Sequence, residues 1–199
     1  MIKKVLEYLT KLWYAIFRID DLRVIFGVNC MREKYSALDI ATWFIYKTNA
    51  EKKSNQMSND DYEVYEGLTH LKLQKLLYYA QGICLANCGH VLFDDAIEAW
   101  EHGPVVRNVF ECFSSKGRNE ITIDDAPSSV NVIEKIETDS EIREILNITY
   151  DNFAIYTAWQ LRSMTHEIGT PWYKSYKVGL NKVISIDLIK KYFETEVMA

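Results

Sequence analysis

The sequence predicts a mainly α-helical, compact domain with a small two-stranded β ribbon, and three observations predict it. Proline and glycine are scarce, 3 and 8 in 199 residues, so long stretches are free of the residues that interrupt helices. Several segments repeat apolar residues at the three- and four-residue spacing of one helix face. One short stretch, Ala96 to Glu101, alternates instead, as a strand does. Hydrophobic residues make up 48% of the chain and aromatic residues 13%, enough for a real core.

Residues 1–30 are apolar with basic punctuation. Glu7, Lys11 and Arg18 break every apolar run and no small-residue cleavage site follows, which argues against a signal peptide and against a membrane span. They are expected to form an N-terminal extension: an amphipathic helix, or a stretch upstream of the domain's own start. The domain itself is expected over 31–199. Ser36 and Asp39 have the spacing of a reciprocal helix cap, and Ile40, Ala41, Phe44 and Ile45 form one face, predicting a helix over 36–48. Residues 49–67 are polar and aperiodic and predict a long inserted loop.

Thr69 caps the next helix. Leu73, Leu76, Leu77, Ala80, Ile83 and Cys84 recur along it, with Leu71 and Tyr78 on a flank. A helix apolar nearly all round belongs at the centre of the molecule. Gly89 is expected to end it. The 96–100 strand is expected to pair with Ile121 to Ile123, and Gly103-Pro104 to open a helix that Gly117 stops. Ile142, Ile145, Leu146, Thr149, Tyr150 and Phe153 mark a helix from Ser140. Thr157 and Gln160 form a capping box. Thr170-Pro171 is cap plus first-turn proline, and the last helix starts at Ser185, with Ile189, Tyr192 and Phe193 inward.

No nucleophile elbow, phosphate loop, dinucleotide fingerprint or zinc-protease motif occurs, so no catalytic residue and no cofactor is assigned. Four cysteines and no secretory signal fit reduced thiols in the cytoplasm. Cys84, Cys88 and His90 suggest a metal, but a closed site needs a fourth ligand, and buried structural thiols are the simpler reading. No metal site is assigned. The net charge of −5 is uneven: residues 94–144 alone carry −8. That excess argues against nucleic acid and suits a basic protein partner; taken alone it reads equally as a solvated acidic surface.

Polar residues on apolar elements remain as candidates. Gln81, beside the apolar face of the central helix, needs a hydrogen-bond partner; the 96–104 segment is the expected one. Glu98, Trp100, Glu101 and His102 gather two carboxylates, an imidazole and an aromatic. With His166 they outline an acid–base site. If Trp100 is core, Glu98 shares its face and needs a cation such as Lys72, Lys75 or His166. Thr165-His166 is expected to satisfy freed carbonyls at a helix end and orient the turn into Pro171-Trp172.

Four segments together, YSALDIATWFI from Tyr35, LTHLKLQKLLYYAQG from Leu68, LFDDAIEAWEHGPVV from Leu92 and THEIGTPW from Thr165, resemble the Panacea (SocA-like) antitoxin domain family. The resemblance runs from Met31 to about Trp172 and takes in the last helix. It implies a helical domain with a small ribbon that neutralises a cognate toxin, encoded by a neighbouring gene, through protein contact. Some members of the family instead deliver their toxin to a protease. On this resemblance Gln81, Glu98, Trp100, His102, Thr165, His166 and Trp172 are the candidates for partner binding or for the motif's own structure. The competing expectations are a proteolytic adaptor that delivers a bound toxin to a protease, and an enzyme with an unrecognised site near Glu98, His102 and His166. The 1–30 extension and the 49–67 insertion depart from the family pattern.

Overall fold

The computed structural model describes residues 35–57, 67–127 and 130–198. The readings of 1–30 and of the middle of the expected insertion, 58–66, lie outside the described residues. Among the described residues no helix is long and apolar enough to cross a membrane.

The fold is mainly α. Helix α1 spans Ala37–Met57, and its start is the reciprocal cap expected: Ser36 N–H donates to the Asp39 carboxylate (2.9 Å) and Asp39 N–H to Ser36 Oγ (3.2 Å). The helix continues through residues expected to be loop. Residues 49–57 lack apolar periodicity, but they hold no proline or glycine and carry the Lys47–Glu51 pair one turn apart (3.8 Å); propensity is enough to extend an established helix.

Helix α2, His70–Cys88, is the central element. Thr69 Oγ1 accepts from Lys72 N–H, and Gly89 closes the helix in the left-handed conformation, φ 77°. From Lys72 to Leu85 every residue is buried. The expectation of a central, all-round buried helix holds, and the reason is that it has neighbours on every side. Helices α5 (Ser140–Phe153), α6 (Ala158–Thr165), α8 (Ile186–Tyr192) and a β hairpin all pack on it.

The sheet differs from the expected ribbon. Strand β1, Ile97–Trp100, pairs antiparallel with β2, Gly103–Val106, across the two-residue turn Glu101-His102, and also with β3, Lys182–Val183, in the order β2-β1-β3. Gly103-Pro104 therefore opens a strand and not a helix. Pro104 lies on an edge strand, where a missing N–H is tolerated, and Val105-Val106 favour extended backbone. Helix α3 starts only at Arg107 and ends at Phe113. Ile121 pairs elsewhere: its N–H donates to Leu68 O (2.8 Å) beside a Thr69–Glu120 bridge. Helix α4, Val130–Thr138, was not anticipated. Its Glu137 accepts from the indole of buried Trp43 (2.7 Å). Helix α7, Pro171–Ser175, has the Thr170 cap and first-turn proline expected.

Ile189 and Phe193 are buried as expected. Phe193 begins a π-helical turn, Phe193–Val197, and explains the glycine of the Gln81-Gly82 pair. A Cβ on Gly82 would stand 2.3 Å from the Phe193 ring. The glycine lets that ring lie directly on the backbone of α2.

Candidate functional site

Residues from three of the four segments that carry the resemblance meet at one object, the backbone of the β1–β2 hairpin. From α2, Gln74 accepts from Val106 N–H (2.7 Å) and donates to Val106 O (3.3 Å). One residue on, Lys75 Nζ donates to Pro104 O (2.9 Å). From the segment after α6, His166 Nε2 lies 3.1 Å from Glu101 O and Trp172 Nε1 donates to Trp100 O (2.7 Å). Four polar side chains from two distant stretches thus hold the turn and its outer strand. Paired in this way, buried backbone groups of a short edge strand are satisfied without a further strand.

Gly103 makes the approach possible. Its φ is 108°, and a Cβ there would meet Lys75 Cε at 2.6 Å and Thr165 Oγ1 at 3.1 Å. Lys75 is fully buried. Burial, and next the positive charge of Arg162, bring its ammonium down to about 7. His166 is held below the ordinary imidazole value, mainly by burial. Its Nδ1 lies 2.7 Å from Arg162 O and 3.2 Å from Thr165 Oγ1, and its ring sits 3.6 Å from that of Trp172. Thr165 is almost fully buried; its Oγ1 donates to Arg162 O (2.8 Å), and its carbonyl accepts from Thr170 Oγ1 (2.8 Å).

The other face of the hairpin carries Glu98 and Trp100, both half-buried. Trp100 is not core, and none of Lys72, Lys75 and His166, the cations considered had it been so, pairs with Glu98. Glu98 is bound by Arg107, Nε to Oε1 at 3.0 Å and Nη2 to Oε2 at 2.7 Å, and accepts from the Trp100 indole (2.8 Å). The Arg107 guanidinium also lies over the Trp100 ring, 5.3 Å from its centroid, and Phe110 packs at 4.8 Å. Because β2 turns into α3 without a loop, Arg107 lands beside Glu98; a helix opened by Gly103-Pro104 and stopped by Gly117 does not bring the two together.

Glu98, His102 and His166 are not bonded to one another. The Glu98 carboxylate is taken by Arg107 and Trp100, both nitrogens of His166 face carbonyls, and His102 is exposed at the turn. Gln81 is fully buried and binds Leu92 N–H (2.8 Å), Phe93 N–H (3.3 Å) and Phe93 O (3.1 Å). Its partner is the approach to β1 rather than the 96–104 segment. Lys75 and Gln74 were missed as hairpin clamps. The available signal was a lysine and a glutamine inside a helix with no solvated face, since buried polar groups need partners.

A second feature lies away from the hairpin. Among the described residues, seven of the nine exposed large apolar side chains fall in 155–183: Ile155, Trp159, Ile168, Tyr173, Val178, Leu180 and Val183. Ile168 is 87% exposed and Trp159 64%. Ile168 also rims a cleft of about 480 Å³ that Lys174, Lys191, Tyr192 and Glu196 help to line.

The clamped hairpin unites three of the four motif segments, those from Leu68, Leu92 and Thr165. Residues 73–173 match the family described as antitoxin SocA-like, Panacea domain, and the chain belongs to it. A curated relative is the antitoxin SocA of Caulobacter vibrioides (strain NA1000 / CB15N), 34% identical over 109 residues, 53% of this chain and 58% of that protein. The match thus spans little more than half the length of the curated relative. No solved structure matches the chain.

Proposed function

We propose that this protein is an antitoxin that neutralises a cognate toxin by direct protein–protein contact, without turnover, in the cytoplasm, and that the toxin is the product of a neighbouring gene. Membership of the SocA-like Panacea family carries this reading. The geometry supports it in two ways. Gln74, Lys75, His166 and Trp172 are committed to holding the hairpin, and the groups considered for acid–base work are each bound elsewhere or exposed. Seven exposed large apolar side chains fall within 155–183, and a protein partner that covers them would remove that apolar area from water. Trp159 and Tyr173 belong to the residue types that anchor interfaces.

The test is co-expression with the neighbouring gene, followed by purification through a tag on either product. A stable complex is expected, with protection that scales with the ratio of antitoxin to toxin. Protection should survive Glu98→Gln and His102→Ala in folded protein. Trp159→Asp and Ile168→Asp, both at exposed positions, should each weaken the complex at least tenfold, as loss of an interface anchor does. Protection at trace amounts with no complex, abolished by Glu98→Gln or His102→Ala, would establish an enzyme. Disappearance of the toxin itself, dependent on a protease, would establish delivery for degradation.

A further inference from the structure

The C-terminal end of α2 gathers three metal-ligand side chains that the hairpin does not use. Cys84 and Cys88 are one helical turn apart and share a face. Gly89 reverses the chain in the left-handed conformation, and His90 swings back toward them. His90 Nδ1 lies 3.7 Å from Cys84 Sγ. The two sulfurs and a ring nitrogen of His90 all lie within 4.8 Å of one another. Cys84 is buried and Cys88 half-buried, so the cluster is largely enclosed with an approach on the Cys88 side.

A second observation bears on the same cluster. The far nitrogen of His90, Nε2, lies 3.1 Å from Glu141 Oε1 at the start of α5, and the two side chains are only 22% and 14% exposed. A carboxylate on the outer nitrogen of an imidazole fixes the ring so that the inner nitrogen faces the ligand set. Metal-binding histidines are held in this way.

We propose that Cys84, Cys88 and His90 Nδ1 form a Zn²⁺ site, with Glu141 positioning the histidine and solvent completing a tetrahedral ion. Two thiolates and an imidazole suit a borderline-soft d10 ion of that geometry. At the usual Zn–S and Zn–N lengths the ligand atoms would stand roughly 3.6 Å apart, so loading draws the cluster together by side-chain rotation. Each thiol releases its proton. Nδ1 gives up its proton to solvent, and with it the contact to Val91 O, now 2.9 Å, while Nε2–H keeps Glu141. No oxidation or reduction takes place. The bound ion would tie the end of α2 and the start of β1's approach to α5.

The probe is Co²⁺, added to the full chain kept reduced and stripped of metal, then displaced with Zn²⁺. One equivalent should bind, with a thiolate-to-cobalt charge-transfer band and the intense visible bands of a tetrahedral ion, and Zn²⁺ should bleach both. Cys88→Ser and His90→Ala, at half-buried positions, should abolish the bands while circular dichroism stays unchanged. Glu141→Gln should weaken affinity about 10- to 100-fold, and Cys112→Ser, at an exposed position, should change nothing. Zn²⁺ should raise the melting temperature of the parent chain and not of Cys88→Ser. The proposal is overturned if reduced protein takes up no stoichiometric Co²⁺ or Zn²⁺. It is equally overturned if uptake persists in folded Cys88→Ser and His90→Ala, or if the two thiols prove to be a disulfide that excludes metal.

Discussion

Lys75 is a fully buried amine whose hydrogen-bond acceptor is a single carbonyl, Pro104 O, and no carboxylate pairs with it among the described residues. Burial and then Arg162 lower its pKa from 10.5 to about 7. Between those values the unfolded chain holds a proton that the folded chain has released, so stability rises with pH across that window. The Cys88 thiol pushes in the same direction from about 6 upward: the Cys84 hydrogen bond lowers it most, burial opposes, and His90 lowers it further. Lys75→Met removes the lysine contribution and leaves the cysteine one. Denaturant unfolding at about pH 7 and about pH 9.5 should therefore show a steeper gain in the parent chain than in Lys75→Met; parallel gains would refute the lowered amine. The neighbouring glycine is constrained from two sides. Gly103→Ala places a methyl 2.6 Å from Lys75 Cε at a φ of 108°, a strain of about 1–3 kcal/mol. It should lower the denaturation midpoint accordingly.

Helix α2 and its contacts decide stability at the scale of elements. Leu77 is fully buried on it, and Leu77→Ala should cost about 2–5 kcal/mol, read as a fall in unfolding free energy. Gly82→Ala is the sharper probe of one contact, α2 against the C-terminal turn. The added methyl meets the Phe193 ring at 2.3 Å, so overpacking of about 1–3 kcal/mol is expected. Pairing it with Phe193→Leu should recover part of that loss; if the double change is simply additive, the ring is not what the glycine accommodates. The same elements show what a sequence can reveal. Caps were legible at Ser36, Thr69, Thr157 and Thr170, because a cap is a local hydrogen bond between residues three apart. The burial of α2 was legible because no polar face exists along it. The hairpin was not, because Gly103-Pro104 has the same local chemistry at a helix start and at an edge strand. What selects the hairpin is remote: Gln74 and Lys75 reaching carbonyls of β2, His166 that of the turn and Trp172 that of β1. The Glu98–Arg107 pair was lost with it.

Charge and apolar surface are separated along the chain, and that separation yields a prediction for the whole molecule. Residues 94–144 carry −8, while among the described residues most of the exposed large apolar side chains fall in 155–183. If the proposed toxin complex uses both, they should act on different rate constants. Long-range attraction speeds encounter and is screened beyond about 8 Å at physiological salt. Desolvated apolar anchors instead slow dissociation. Asp124, Glu111 and Glu134 are exposed, so Asp124→Lys, Glu111→Lys and Glu134→Lys alter the field without touching the core. Combined, they should lower the association rate several-fold at low salt, flatten its salt dependence and leave the dissociation rate nearly unchanged. Trp159→Asp should do the opposite: faster dissociation with a nearly constant salt slope. Stopped-flow or surface-binding kinetics with the neighbouring gene's product, across a salt series, separates the two. Charge reversals that change only dissociation would place the acidic stretch inside the contact. A Trp159 variant indistinguishable from the parent chain would remove the 155–183 surface from it.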